Sequence, residues 1–275
     1  MKHYALKTFS KKILADTLTP VSVYLKLRDH FPNTLLLESS DYHASDNSFS
    51  YICCNPIASI AIQNQMLKEN FPDGSKTQTP ITQEVNVPQR IQEYSQLFQT
   101  EPNSYKFIAN GLFGFIAHDA VQYFDSIEIK TKPKHVNMPD LYYALYQNII
   151  AINHFNNEAY LFSHSYQGEN NIDHIEQLLA VKTFGSYSFE TVGDKQSTIS
   201  DADYRGLVRK AKEHCQRGDV FQLVLSRRFI QDFKGDEFNV YRALRAINPS
   251  PYLFFFDYGD FKIFGSSPEA QLIVQ

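Results

Sequence analysis

The sequence predicts an α+β protein built mainly on antiparallel sheet. Several short runs alternate apolar and polar residues with a period of two. Turn signals such as Asn156–Asn157 and Tyr258-Gly259-Asp260-Phe261 join neighbouring runs into hairpins. Helix-like segments are scattered among these runs, whereas a doubly wound parallel sheet needs a helix after each strand. The chain has no GxGxxG and no P-loop sequence, and its 275 residues suffice for one large or two ordinary domains.

Taken in order, Thr19 and Pro20 read as N-cap and first position of a helix running to about His30. "TLLLES" is a short buried strand that ends abruptly at Glu38 and Ser39. "FSYICCNP" and "IASIAIQN" read as two strands broken at Asn55 and Pro56, residues 65–84 as a polar, turn-rich stretch, and residues 86–99 as a surface helix. In "NGLFGFIAHDAVQYF", Gly111 and Gly114 beside aromatics predict close backbone packing, and Asp119 and Tyr123 read as packing or network residues. "YYALYQNIIAINHF" and "EAYLFSHS" flank the Asn156–Asn157 turn, and a helix over about 172–182 follows. Residues 184–200 are polar without periodicity, which predicts a linker between a first region, 1–183, and a second, 201–275.

In the second region, Ser200 and Asp203 cap a helix that Gly218 terminates. "DVFQLVLSRRF" alternates strictly, with Phe221, Leu223 and Leu225 on one face and Val220, Gln222, Val224, Ser226 and Arg228 on the other. That second face is the candidate for chemistry. After a helix over about 236–246, Pro249 and Pro251 fix φ on either side of Ser250 and prescribe a rigid, extended approach to the strand 251–258. The "YGDF" turn leads to a last strand over 261–265.

Charge and composition exclude several function classes. The 26 basic and 30 acidic residues are spread without blocks, which argues against nucleic acid or an anionic membrane as a partner. The first twenty residues are interrupted by Lys7, Lys11, Lys12 and Asp16, so they offer no apolar h-region of the kind expected in a signal peptide, and no apolar run approaches the ~20 residues of a spanning helix. Cys53, Cys54 and Cys215 form no CxxC and read as small core residues of a cytoplasmic protein. The histidines lack ligand spacing, so no histidine metal site is expected within the chain.

Five segments in register, "LLLES" at 35–39, "GLFGFIAHDAVQYF" at 111–124, "GDVFQLVLSRRF" at 218–229, "NPSPYLFFF" at 248–256 and "GSSPE" at 265–269, resemble the chorismate-utilising enzymes, specifically the large subunits of anthranilate synthase. The resemblance covers nearly the whole chain. It implies mainly antiparallel sheets packed as a sandwich with helices outside, and a reaction in which chorismate and ammonia, delivered from glutamine by a partner amidotransferase, become anthranilate and pyruvate. It also implies a Mg²⁺ cofactor whose ligands, with the general acid, belong to a second half whose motifs this sequence does not contain. The expectation is therefore a truncated chain, inactive alone, with no metal site of its own.

The resemblance also assigns residues. Gln222 stands where water-adding relatives carry a lysine base, and glutamine cannot deprotonate water; periodicity alone favours a half-buried residue satisfying backbone groups, and the surrounding motif turns the reading to the functional one. Arg228 on the same face is the candidate for a substrate carboxylate, or a surface strand arginine. Glu38 and Ser39, with Pro251, Tyr252 and Leu253, are expected to line a feedback site for L-tryptophan, Leu253 replacing the family's common Met with similar volume. Two rivals stay open: the related aminodeoxychorismate synthase large subunit, and a non-catalytic tryptophan-binding module.

Overall fold

The computed structural model describes residues 2–39, 48–127, 129, 136–270 and 272. In chain order the elements are β1 (Tyr4–Leu14), α1 (Pro20–Leu27), β2 (Leu35–Ser39), β3 (Phe49–Gln63), β4 (Met66–Asn70), β5 (Lys76–Pro80), α2 (Val87–Gln96), β6 (Phe98–Thr100), β7 (Leu112–Ile116), a 3₁₀ turn (His118–Tyr123), β8 (Leu141–Asn153), β9 (Glu158–Ser165), α3 (Ile172–Ala180), β10 (Phe189–Ser197), α4 (Asp201–Arg217), β11 (Phe229–Gly235), α5 (Phe238–Ile247), β12 (Tyr252–Asp257) and β13 (Lys262–Ser267). They fall into two compact units, Met1–Gly185 with Ala243–Gln275, and Ser186–Arg242. The units cut across the expected division at 183 and 200. β12 returns to the first unit because it pairs with β2, and the expected linker contains a strand, β10, paired with β11.

In the first unit, eleven strands join in one hydrogen-bonded network with the path β13-β12-β2-β3-β8-β9-β1-β6, where separate stacked sheets were expected. The β1–β6 pair is parallel and the other ladders are antiparallel. The spine is β3 against β8, and β3 is one bent strand instead of two. Asn55 takes a left-handed φ of 61° and the register shifts between Pro56 and Ala58, so the missing Pro N–H falls at an irregularity. One core cluster gathers Leu35, Cys53, Ile149, Phe162 and Phe256 around one half of the spine, and another gathers Ile60, Ile62, Leu67, Tyr94 and Leu141 around the other. A Cβ at Gly114 would collide with the Tyr142 carbonyl, which is why β7 needs glycine to lie against β8.

The helices follow their end signals. Thr19 and Ser22 form a reciprocal capping box at α1, whose Val23, Tyr24 and Leu27 are buried. Ser200 accepts from the Asp203 N–H, and Gly218 closes α4 in the left-handed region. The polar, turn-rich stretch at 65–84 folds as the β4–β5 hairpin. Buried Leu67 and Glu69 share one face of β4; both Glu69 oxygens accept from Arg90 Nη2 at 2.8 Å, and Oε2 also accepts from Thr77. A buried carboxylate satisfied this fully lets a polar stretch fold inward. Cys53 and Cys54 are core residues whose thiol pKa values burial pushes up, that of Cys54 to about 12, whereas Cys215 is exposed on α4.

Candidate functional site

Strands β2 and β12 bring together residues more than two hundred positions apart. Tyr252 lies opposite Ser39, Leu253 opposite Glu38, and Phe254 opposite Leu37 in the antiparallel register. Four of the five residues assigned to a ligand site thus occupy two adjacent rungs, and Pro251 immediately precedes them. The approach is anchored where Ser266 Oγ donates to the Asn248 carbonyl at 2.8 Å, and Ser250 between its prolines is buried.

Successive side chains of a strand point to opposite faces, so these rungs present different chemistry to each side. Phe254 and Phe256 pack with Leu35 and Leu37 in the first core cluster. Ser39 and Tyr252 belong to that face by alternation and lie at its rim, Ser39 half-buried and Tyr252 exposed. Leu253 and Phe255 point the other way, where Phe255 meets Tyr24 of α1 edge-on with ring centroids 5.5 Å apart. Glu38 shares that helix-covered face. Its side chain is 4% exposed, and both carboxylate oxygens accept from Arg245 Nε at 3.0 Å. Sequence reasoning missed Arg245, which lies 207 residues from its partner and carries no local signal of it. It also missed His154, whose Nε2 lies 2.7 Å from Ser50 Oγ. Burial lowers the His154 pKa, with nearby Glu38 opposing the shift and Arg245 adding to it.

The second candidate site is not assembled. Gln222 and Arg228 were expected on one face of a strand, but residues 219–228 form no strand, and both side chains are exposed. A strand exists only through ladder hydrogen bonds, and among the described residues β11, starting at Phe229, is the partner of β10. The Arg228 carbonyl receives the Thr198 N–H at 3.1 Å, just beyond the end of that ladder. Tyr123 donates to Asp140 at 3.1 Å, a network role, while Asp119 pairs with its exposed neighbour His118. Among the described residues no three His, Cys, Asp or Glu side chains are grouped to hold a metal ion. No helix among them is long and apolar enough to cross a membrane.

Residues 34–275 match a protein family described as chorismate binding enzyme. Anthranilate synthase component 1 of Lactococcus lactis subsp. lactis (strain IL1403) is 29% identical over 275 residues, covering 96% of this chain and 58% of that protein. The same component of Acinetobacter calcoaceticus is 31% identical over 283 residues, covering 93% of this chain and 54% of its own length. The chain thus spans a little over half the length of these relatives. The crystal structure of anthranilate synthase component I from Streptococcus pneumoniae TIGR4 shares the fold, with a TM-score of 0.62 at 23% identity over 94% of this chain and 57% of that one.

Proposed function

The chain belongs to the chorismate binding enzyme family, and we propose that it is part of an anthranilate synthase large subunit. Chorismate and ammonia would give anthranilate, pyruvate and water: a C–N bond forms at ring C2, the C4 hydroxyl leaves as water, and the enolpyruvyl group departs as pyruvate. The observation that carries this reading is the match of nearly the whole chain to proteins of that name. The activity is proposed for the whole protein, in the cytoplasm, with ammonia supplied by a glutamine amidotransferase partner and Mg²⁺ held by residues outside these 275. A general acid must assist the departing hydroxyl, and in this reading it too lies outside them. The 275 residues alone are then expected to leave chorismate unconsumed.

Feedback inhibition by L-tryptophan at the β2–β12 rungs is the finer part of the proposal. Its support is the placement of Ser39 opposite Tyr252 beside the rigid Pro249–Pro251 approach. Proline and tyrosine offer a flat apolar slot for an indole, and backbone carbonyls there can accept from an ammonium. The test measures anthranilate fluorescence from the whole protein with chorismate, Mg²⁺ and ammonia, with and without tryptophan. Ser39→Phe and Pro251→Ser should each raise the tryptophan concentration for half-inhibition while sparing most turnover. Accumulation of aminodeoxychorismate without anthranilate would transfer the protein to the related folate-pathway enzyme.

A further inference from the structure

Residues 219–228 form no strand, yet their alternate side chains are already sorted by face. Leu223 and Leu225 line a groove on α4 with Tyr204, Val208, Ala211 and Cys215, one stripe of that helix. Arg227, two positions further, reaches the first turn of the same helix, where its Nη1 donates to Asp201 Oδ1 at 2.6 Å. Gln222, Val224, Ser226 and Arg228, the intervening positions, are exposed. The Arg227 side chain is only 16% exposed and ties the end of β10, the start of α4 and the start of β11 together. Its Nε donates to Ser197 Oγ at 2.7 Å, and the guanidinium lies 4.7 Å from the Phe229 ring centroid and 5.9 Å from that of Tyr204. Its hydrogen bond also holds the Asp201 carboxyl below the ordinary pKa.

We propose that Arg227 is a positioning residue for the proposed reaction: it sets the phase of 219–228 on α4, so that Gln222 and Arg228 are displayed on the face away from the helix. The inference rests on the anthranilate synthase reading for its catalytic consequence, but not for the phase itself. A slip by one residue would turn Gln222, Val224 and Ser226 onto the apolar stripe and carry Leu223 and Leu225 into water. It would also take the guanidinium from its carboxylate, its hydroxyl and its two rings. An isolated surface ion pair holds little, but a planar, fork-shaped cation shared among three elements is satisfied in one placement. A side chain thus fixes the phase where a ladder usually does. Placing Gln222 and Arg228 beforehand lowers the ordering cost of meeting a substrate.

Labelling with a maleimide reads the phase in the 275-residue chain, because Cys53 and Cys54 are buried. In a Cys215→Ser background, the thiol introduced by Val224→Cys should react about tenfold faster than the one introduced by Leu225→Cys. Arg227→Gln or Asp201→Asn should bring the two rates together, and combining them should add little because the pair acts as one unit. Arg227→Lys keeps the charge and should retain much of the difference, which serves as the test if Arg227→Gln does not fold. In the whole protein, assayed by anthranilate fluorescence, Arg227→Gln should lower kcat about tenfold, more than it raises KM for chorismate, with Arg227→Lys restoring most of the rate. Equal labelling at 224 and 225 in the Cys215→Ser background, or a difference that survives both Arg227→Gln and Asp201→Asn, would overturn the proposal. Full turnover in the whole protein carrying Arg227→Gln would overturn it too, since residues outside the 275 would then set the phase. If the unsubstituted whole protein makes no anthranilate, the function reading fails alone, and labelling still decides the role of Arg227.

Discussion

β2 and the segment 219–228 are both short apolar stretches, and their fates differ completely. Leu35 and Leu36 are fully buried between ladders to β3 and β12. Phe221 is fully exposed, Val224 is 82% exposed, and no strand includes them. The contrast teaches that an apolar period-two run is only a capacity. It becomes a strand when partners on its edges accept its backbone groups and a layer over its face removes its side chains from water.

The largest effect that sharpens this contrast is Phe255→Ala on β12, buried against Tyr24 and Phe264. It should cost about 3–4 kcal/mol in a denaturant titration, from lost transfer energy and the cavity left behind. A loss below about 1 kcal/mol would mean that the β2–β12 corner is as loosely held as 219–228. Next comes Arg90→Ala, which leaves the Glu69 carboxylate buried without its cation. About 2 kcal/mol is expected, below the roughly 3–5 kcal/mol of a fully buried pair because Arg90 itself is partly exposed.

A smaller effect tests the sheet through pH. His164 bridges Thr8 Oγ1 and the Ala109 carbonyl, each at 2.9 Å, and burial lowers its pKa. The unfolded chain therefore binds a proton that the folded chain resists. Stability is fully present above the ordinary histidine pKa and is lost as pH falls below it toward the depressed folded value. The denaturation midpoint should decline from pH 7.5 to pH 5.5, and His164→Gln should flatten that decline; His154, also lowered by burial, contributes in the same sense. The smallest effect is expected where nothing is buried. Phe221→Ser should change stability by no more than about 0.5 kcal/mol, and amides 221–228 should exchange far faster than 51–53 in β3. Slow exchange at 221–228 would erase the contrast.

Local signals were legible because they act within one turn. Thr19 with Pro20, Ser200 with Asp203, and Gly218 mark helix ends through residues at most three or four positions apart. Asn157, with a φ of 53°, marks the β8–β9 turn the same way. The β2–β12 meeting was expected from the family resemblance, and no local pattern would have paired those strands. β1 was missed because lysines interrupt its apolar residues, yet Tyr4 and Leu6 are buried while Lys7, Lys11 and Lys12 remain accessible at an ordinary strand surface.

The class of the fold, most helix boundaries, the turns and the family are written in residue types close together or in motifs. The tertiary structure decided which edges found partners, that Asn55 and Pro56 bend β3 without ending it, that Glu69 could be buried, and that Glu38 faces Arg245 and not the rung beside it. Those outcomes depend on groups brought together from distant positions. The free energy of burying a charge or a strand edge is set by the neighbour that arrives, and that neighbour is chosen by the fold as a whole.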